Sequence, residues 1–228
     1  MKLLIVSATS YEIAPLFQYL DEHATKASFF EYTYHGHTIY PLVTGVGALM
    51  TAFALARYHD MGSVDIAINA GLAGAYNSNL ALGEVVEIAK DRFADLGVEE
   101  ADGSFTDVYQ LGLSDKDKHP YQDGWLHAST SSYSTDMKQA TGLTVNKVHG
   151  SISSIAQVKS KYLADVETME GAGFMYACKA LDVKHHQIRA ISNMVEPRNK
   201  ENWQIGKAID ELNAHLISFV HKIVEQEA

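Results

Sequence analysis

An α/β fold is predicted, with a central, mixed but mostly parallel, twisted sheet flanked by helices. Short apolar runs rich in branched residues alternate with stretches of helical spacing, and polar or glycine-rich turns follow the strands. The apolar fraction is 46% over 228 residues, enough for a sizeable core. No interdomain linker and no internal repeat is visible, so residues 1–228 are expected to form a single domain.

Residues 2–6 read as a buried strand, and residues 12–20 carry Ile13, Leu16, Phe17 and Leu20 at helical spacing. Residues 39–43 form a second strand, and the Ala- and Leu-rich stretch 49–58 a helix. Strands follow at 65–69 and 84–89. From 97 to about 132 the pattern becomes polar and aromatic, with Asp102-Gly103 and Asp123-Gly124 as turn signals; this reads as an excursion over the active face. Residues 143–148 return to strand, 171–181 read as a buried helix, 184–191 as a strand and 203–224 as a long closing helix. In such sheets ligands sit at the carboxyl ends of strands. The turns 7–10, 44–47, 71–74 and 192–197 should therefore converge on one cleft.

Composition narrows the function. Eighteen Lys and Arg against 28 Asp and Glu give a net charge of −10, which disfavours nucleic acid as a partner. Cys178 is the only cysteine, so no intramolecular disulfide is available and a reducing compartment fits. The apolar start at Leu3 is too short for a signal-peptide core, and no run approaches a membrane span. A cytoplasmic protein without membrane partners is expected. His35, His37, His185 and His186 lack the spacing of a metal pair, so no metal is expected. Gly45 and Gly47 are not followed by a third Gly at Met50, and no GxxxxGK[ST] occurs, which disfavours dinucleotide and NTP binding.

The turn motifs carry a resemblance. Residues 1–12, closed by Glu12, resemble the opening of 5′-methylthioadenosine/S-adenosylhomocysteine nucleosidases. Val43-Thr44-Gly45-Val46-Gly47 and Asn69-Ala70-Gly71-Leu72-Ala73-Gly74 are similar to the second and third glycine segments of that family. Val166-Glu167-Thr168-Met169-Glu170-Gly171-Ala172 resembles its ribose signature with one extra residue, and Arg189-Ala190-Ile191-Ser192-Asn193 its purine-recognition strand end. Each is weak alone; five in order, spread over the whole chain, are strong. The expanded signature at Met169, the stretch Ala94-Asp95-Leu96-Gly97-Val98-Glu99, and Ser192 to Arg198 followed by Trp203 resemble the futalosine hydrolase branch of the nucleoside phosphorylase/nucleosidase superfamily.

That resemblance implies a nucleoside phosphorylase-like fold and a purine-nucleoside hydrolase without cofactor. The substrate implied is futalosine, split into hypoxanthine and dehypoxanthine futalosine in menaquinone biosynthesis. It also implies a homo-oligomer, a dimer first, with apolar residues 49–55 as a candidate partner face. The alternatives are a 5′-methylthioadenosine/S-adenosylhomocysteine or 6-amino-6-deoxyfutalosine nucleosidase, a purine nucleoside phosphorylase, and a nucleoside-binding module without catalysis.

Each chemical requirement has a candidate. Glycosidic cleavage passes through a cationic sugar. Glu12 is the expected general base for water. Glu170 is expected to accept from both ribose hydroxyls, with Met169 packed on the sugar and Glu167 in support. Asn193 stands where the adenine-specific members have Asp; its amide has two N–H donors, which suit N7 and O6 of a 6-oxopurine. Gly45, Gly47, Gly71 and Gly74 are read as cleft turns that let backbone approach the ligand. Leu72 departs from the polar residue common in the adenosine nucleosidases. Residues 7–11 and 69–77 hold no Arg or Lys to clamp phosphate, which favours water as nucleophile. For an acidic aromatic 5′ group, Phe105, Tyr109, Tyr121 and Trp125 supply apolar area, and Arg198, Arg92 and Lys147 are the possible cations.

Overall fold

The computed structural model describes residues 1–28, 30–58, 61–129 and 133–226. In chain order the elements are β1 (Lys2–Ser7), α1 (Ala14–His23), β2 (Thr25–Ser28), β3 (Glu31–Tyr34), β4 (His37–Val43), α2 (Ala48–Arg57), β5 (Ile66–Ala75), β6 (Val85–Asp91), β7 (Gly97–Glu99), β8 (Phe105–Asp107), β9 (Leu126–His127), β10 (Lys138–Thr144), α3 (Ile152–Lys161), β11 (Val166–Thr168), α4 (Gly171–Ala180), β12 (Lys184–Met194) and α5 (Ile205–Gln226).

The sheet runs β11-β10-β6-β12-β5-β1-β4-β3-β2, and β11 also pairs with β5. Strands β5, β12, β6, β10 and β11 therefore close into a ring, from which β1, β4, β3 and β2 extend as an open wing. Parallel pairs join β1 to β4 and β5, β5 to β12, and β10 to β6 and β11. Antiparallel pairs join β6 to β12 and β11 to β5. Antiparallel pairs also join β2 to β3, β3 to β4 and β6 to β9. The expected mixed sheet is present, with its longest ladders parallel, and its closure into a ring is the addition.

Two apolar layers flank the sheet. On one side Leu3, Ile5, Ile68 and Ile188 pack with α1 and α5, whose Leu212, Leu216, Phe219 and Ile223 recur at helical spacing. On the other, Leu4, Val6, Ala67 and Val86 pack with Leu55 of α2 and Phe174, Met175 and Cys178 of α4. No helix among the described residues is long and apolar enough to cross a membrane.

Several boundaries move, with physical reasons. The segment 71–74, read as a turn, lies inside β5 and pairs with Arg189 to Asn193 of β12. Glycines are usually poor in strands, but here a close approach of other groups requires them, as shown below. β12 likewise runs to Met194, so Ser192 and Asn193 belong to the strand and not to a turn. The wing hairpin β2–β3 and helix α3 carry few buried residues, which left them without a periodic signal. The excursion after β6 contains the small hairpin β7–β8; its final residues 130–132 lie outside the described residues. The strand expected at 143–148 sits earlier, at Lys138–Thr144.

Candidate active site

Glu12 lies in the turn between β1 and α1, outside the helix. Its Oε2 accepts from the Thr9 amide at 3.0 Å, the Thr9 hydroxyl at 2.9 Å and the Ser7 hydroxyl at 3.3 Å. Its Oε1 accepts from the Leu72 amide of β5 at 3.2 Å. The carboxylate thus bridges the turn after β1 and the interior of β5. The contact at position 72 comes from the backbone, so the apolar side chain there does not impair it. From the other side, the buried Asn213 of α5 donates to the Glu12 carbonyl at 2.8 Å and accepts from the Leu16 amide at 3.1 Å, fixing the turn and satisfying a donor of the first helical turn.

Glu170 precedes α4 at its N-cap, yet its side chain does not cap that helix. Its Oε1 instead accepts from the Gly47 amide at 3.0 Å. Gly47 has φ +104 and Gly45 has φ +90, a region that L side chains rarely adopt, and this turn presents the amide. The Gly45 amide bonds the Ala8 carbonyl at 3.0 Å, tying this turn to the β1 turn. Burial pushes the Glu170 carboxyl above the ordinary range; the Arg189 charge and the Gly47 amide oppose this, and the Glu12 charge adds to it. Met169, half-buried, sits between this carboxylate and β11.

Arg189 is the residue that the motif reading quoted without assigning it a role. It is 1% exposed and carries the cation of the site. Its Nη1 donates to the carbonyls of Asn69 at 3.1 Å and Ile188 at 3.0 Å, and its Nη2 bonds the Asn69 side-chain oxygen. Gly71 lies between it and Glu12: a Cβ there would meet Glu12 Oε1 at 3.1 Å and Arg189 Nη1 at 3.5 Å. The third segment is therefore glycine-rich so that carboxylate and guanidinium can lie over bare backbone. A signal was available, since an Arg set among Ile188, Ala190 and Ile191 in a strand demands a partner. All of its bonds run inward, to the protein's own carbonyl and amide oxygens.

Asn193 is aimed by a β-bulge. Ile191 pairs with Ala73 and Asn193 with Gly74, leaving Ser192 as the extra residue. That single residue resets which face Asn193 presents. The Asn193 Nδ2 donates to the Met194 carbonyl at 3.0 Å, and its Oδ1 lies 2.8 Å from the Ser192 hydroxyl. The carbonyl accepts only, so it fixes the amide orientation. One of the two donors expected to face a base is held by this bond; the other N–H has no partner among the described residues.

Asn193 lines a narrow pocket with Gly74, His149, Glu167, Glu196, Arg198 and Trp203. A Cβ on Gly74 would come within 2.9 Å of Val195 and 3.2 Å of the Asn193 amide nitrogen. Glu167 is buried and accepts from the Tyr76 hydroxyl at 2.6 Å, the His149 amide at 3.1 Å and His149 Nδ1 at 2.7 Å. A carboxylate accepts only, so Nδ1 of His149 carries a proton toward Glu167.

The structure thus brings Glu12, Glu170, Gly45, Gly47 and Gly71 together around Arg189, with Asn193 and Gly74 in the adjoining pocket. Of the cations considered for an acidic 5′ group, Arg198 lies 5.0 Å over the Trp203 ring at this pocket. Arg92 is in a separate cavity with Tyr109 and Trp125, and Lys147 is exposed. The histidines have other partners: His186 bonds Glu87 at 2.6 Å and His185 bonds Ser129 at 2.6 Å.

Two fixed carboxylates, one raised by burial, thus stand beside a pocket lined by an amide on an α/β frame, an arrangement able to position water and a sugar for glycosidic cleavage. The chain belongs to the phosphorylase superfamily, whose family model matches residues 2–225. It is 33% identical over 174 residues to futalosine hydrolase of Thermus thermophilus, covering 75% of this chain and 76% of that protein. It is 27% identical over 221 residues to 5′-methylthioadenosine/S-adenosylhomocysteine nucleosidase of Colwellia psychrerythraea, covering 90% of this chain and 88% of that protein. Among solved structures, futalosine hydrolase of Helicobacter pylori strain 26695 superposes with a TM-score of 0.79 at 15% identity, covering 97% and 98% of the two chains.

Proposed function

We propose that this protein hydrolyses the N-glycosidic bond of futalosine, releasing hypoxanthine and dehypoxanthine futalosine, a step of menaquinone biosynthesis. The observation that carries the reading is Asn193 on its bulge, beside His149. A neutral amide donates to N7 as the base leaves with negative charge, where an ionised carboxylate would repel it. The 33% identity to a futalosine hydrolase supports the same choice.

In this reading Glu170 accepts from the ribose hydroxyls and Glu12 takes a proton from water as the oxygen bonds to the anomeric carbon. The C–N bond breaks, the base departs as the anion that the Asn193 amide stabilises, and it then takes up the proton that Glu12 removed from water. Arg189 holds both acids in its field, while its own N–H bonds run to Asn69 and Ile188, which leaves a phosphate dianion without a clamp. Met169 packs on the sugar.

A dimer fits the apolar face of α2 beside Gly47, where Leu49 is 76% and Phe53 57% exposed. A reducing, cytoplasmic setting fits the single, buried Cys178.

The test is chromatography of products from futalosine, inosine, 6-amino-6-deoxyfutalosine and methylthioadenosine, each with and without phosphate. Hypoxanthine from futalosine without phosphate, far faster than from inosine, is the expected result. Adenine release would move the protein to the methylthioadenosine branch, strict phosphate dependence would make it a phosphorylase, and no release would leave a binding module.

A further inference from the structure

A roomy cavity shares no lining residue with the nucleoside pocket. It encloses about 620 Å³, the size of a small metabolite's site. Its wall holds four of the chain's 18 basic residues, Lys90, Arg92, Lys116 and Lys161, and two of its 28 acidic ones, Asp107 and Asp123. In a chain of net charge −10 this is a local reversal of sign.

The cations are built in. Arg92 is 8% exposed, and its guanidinium sits 4.7 Å from the ring centre of Tyr162, 5.2 Å from Trp125 and 5.6 Å from Tyr109. Its Nη2 lies 3.3 Å from Asp107, while its Nε has no partner among the described residues. Lys161 is held by the Phe105 carbonyl at 2.7 Å and Gln110 at 2.6 Å, and Asp107 is 3.7 Å away. One carboxylate, Asp107, is thus shared by two buried or half-buried cations. Lys116 pairs with Asp123. Lys90 rests 4.5 Å over Trp125, and no described carboxylate lies within ion-pair distance of it. Two positive charges are left uncompensated around one space open to solvent. Aromatic walls around them lower the local dielectric and strengthen attraction for an anion.

We propose that this cavity is a second ligand site, for a small molecule with a doubly negative head group, either a phosphate monoester or an aryl dicarboxylate. The charge count selects a dianion, and the volume selects a metabolite over a bare ion. The site stands independently of the nucleosidase reading, because none of its residues takes part in that chemistry.

Trp125 lies in the cavity and is one of only two tryptophans, which gives a direct readout. Fluorescence of the Trp203→Phe protein, which reports Trp125 alone, would be titrated with ribose 5-phosphate, isophthalate, inorganic phosphate and the monoanion benzoate. Calorimetry on the unaltered chain repeats each titration, in case the variant does not fold. A saturable change with a dianion but not with benzoate, weaker at high salt, is expected. Lys90→Gln and Lys161→Gln should each weaken it roughly tenfold, as loss of a charge-assisted contact would. Binding of ribose 5-phosphate alone would identify a phosphate ester, and of isophthalate alone a dicarboxylate. No saturable binding of any dianion, or binding unchanged in both lysine variants, overturns the proposal, as does equal binding of benzoate.

Discussion

The Glu170 carboxylate bonds the Gly47 amide at 3.0 Å across the cleft, although it stands at the head of a helix whose own amides are nearer in sequence. The helix start positions the acid, and a distant glycine turn receives it. Glutamine at 170 can keep that bond through its side-chain oxygen while losing the charge. Glu170→Gln should lower kcat by roughly a hundredfold or more, with a melting temperature equal to or above the parent's because a buried charge is removed. Steady-state kinetics with futalosine, paired with thermal melts, checks both halves; an unchanged kcat would remove Glu170 from the mechanism.

Gly71 separates Glu12 from Arg189. Alanine there would place a methyl group 3.1 Å from Glu12 Oε1. Gly71→Ala should displace the base and reduce kcat/KM by roughly tenfold to a hundredfold, while the strand pairing with Arg189 persists. Circular dichroism together with the kinetics separates displacement from unfolding.

Asn193→Asp tests base selection. An ionised Asp would repel N7 and O6, so cleavage of the hypoxanthine nucleoside should fall and that of 6-amino-6-deoxyfutalosine should rise relative to it. If the variant treats both nucleosides as the parent does, the role given to Asn193 is wrong.

Beside Gly171, at the start of α4, lies Asp91, fully buried, accepting from Thr144 at 2.9 Å and Gln187 at 3.0 Å. Thr144 in turn accepts from the Ala172 amide at 2.7 Å, in the first turn of α4. Burial pushes the Asp91 carboxyl up to about 6, against the hydrogen bonds from Gln187 and Thr144. A raised folded-state value means that the folded protein holds this proton after the unfolded chain has released it. Its contribution is therefore present below about pH 4 and lost as pH rises toward 6. That loss amounts to about 3 kcal/mol on the shift from an ordinary Asp. Asp91→Asn should flatten this decline in urea unfolding across that window. His185, lowered to about 4 by burial, acts in the opposite sense and cancels in the comparison with the parent.

Much of the frame was legible in the sequence, because β1, β4 and the closing helix α5 bury regular apolar faces. Glu12, Glu170 and Asn193 were legible through their motifs. What could not be read were relations across the chain. Gly71 looks like a turn until Arg189 and Glu12 are seen on either side of it. Asn213 looks like a misplaced polar residue in a helix until it meets the Glu12 carbonyl 201 positions away. Ser192 gives no sign in sequence that it is the residue left unpaired in the ladder. The excursion was read as one active-face element, yet its aromatics divide: Tyr109 and Trp125 line the separate cationic cavity, while Tyr121 packs against Tyr176 of α4.

The ring of β5, β12, β6, β10 and β11 has a consequence for motion. A strand inside it can leave only by breaking a ladder on each side, whereas β2, at the end of the wing and wholly exposed, peels away after one. Backbone amides should therefore exchange with deuterium fastest at Thr25–Ser28 and slowest in the paired centre of β5 and β12. Arg189, Gly71 and Asn193 all sit on those two slow strands. The proposed site is thus held by the part of the sheet that opens last, while Glu12 and Gly47, which lie in turns, stand on the less tightly held part.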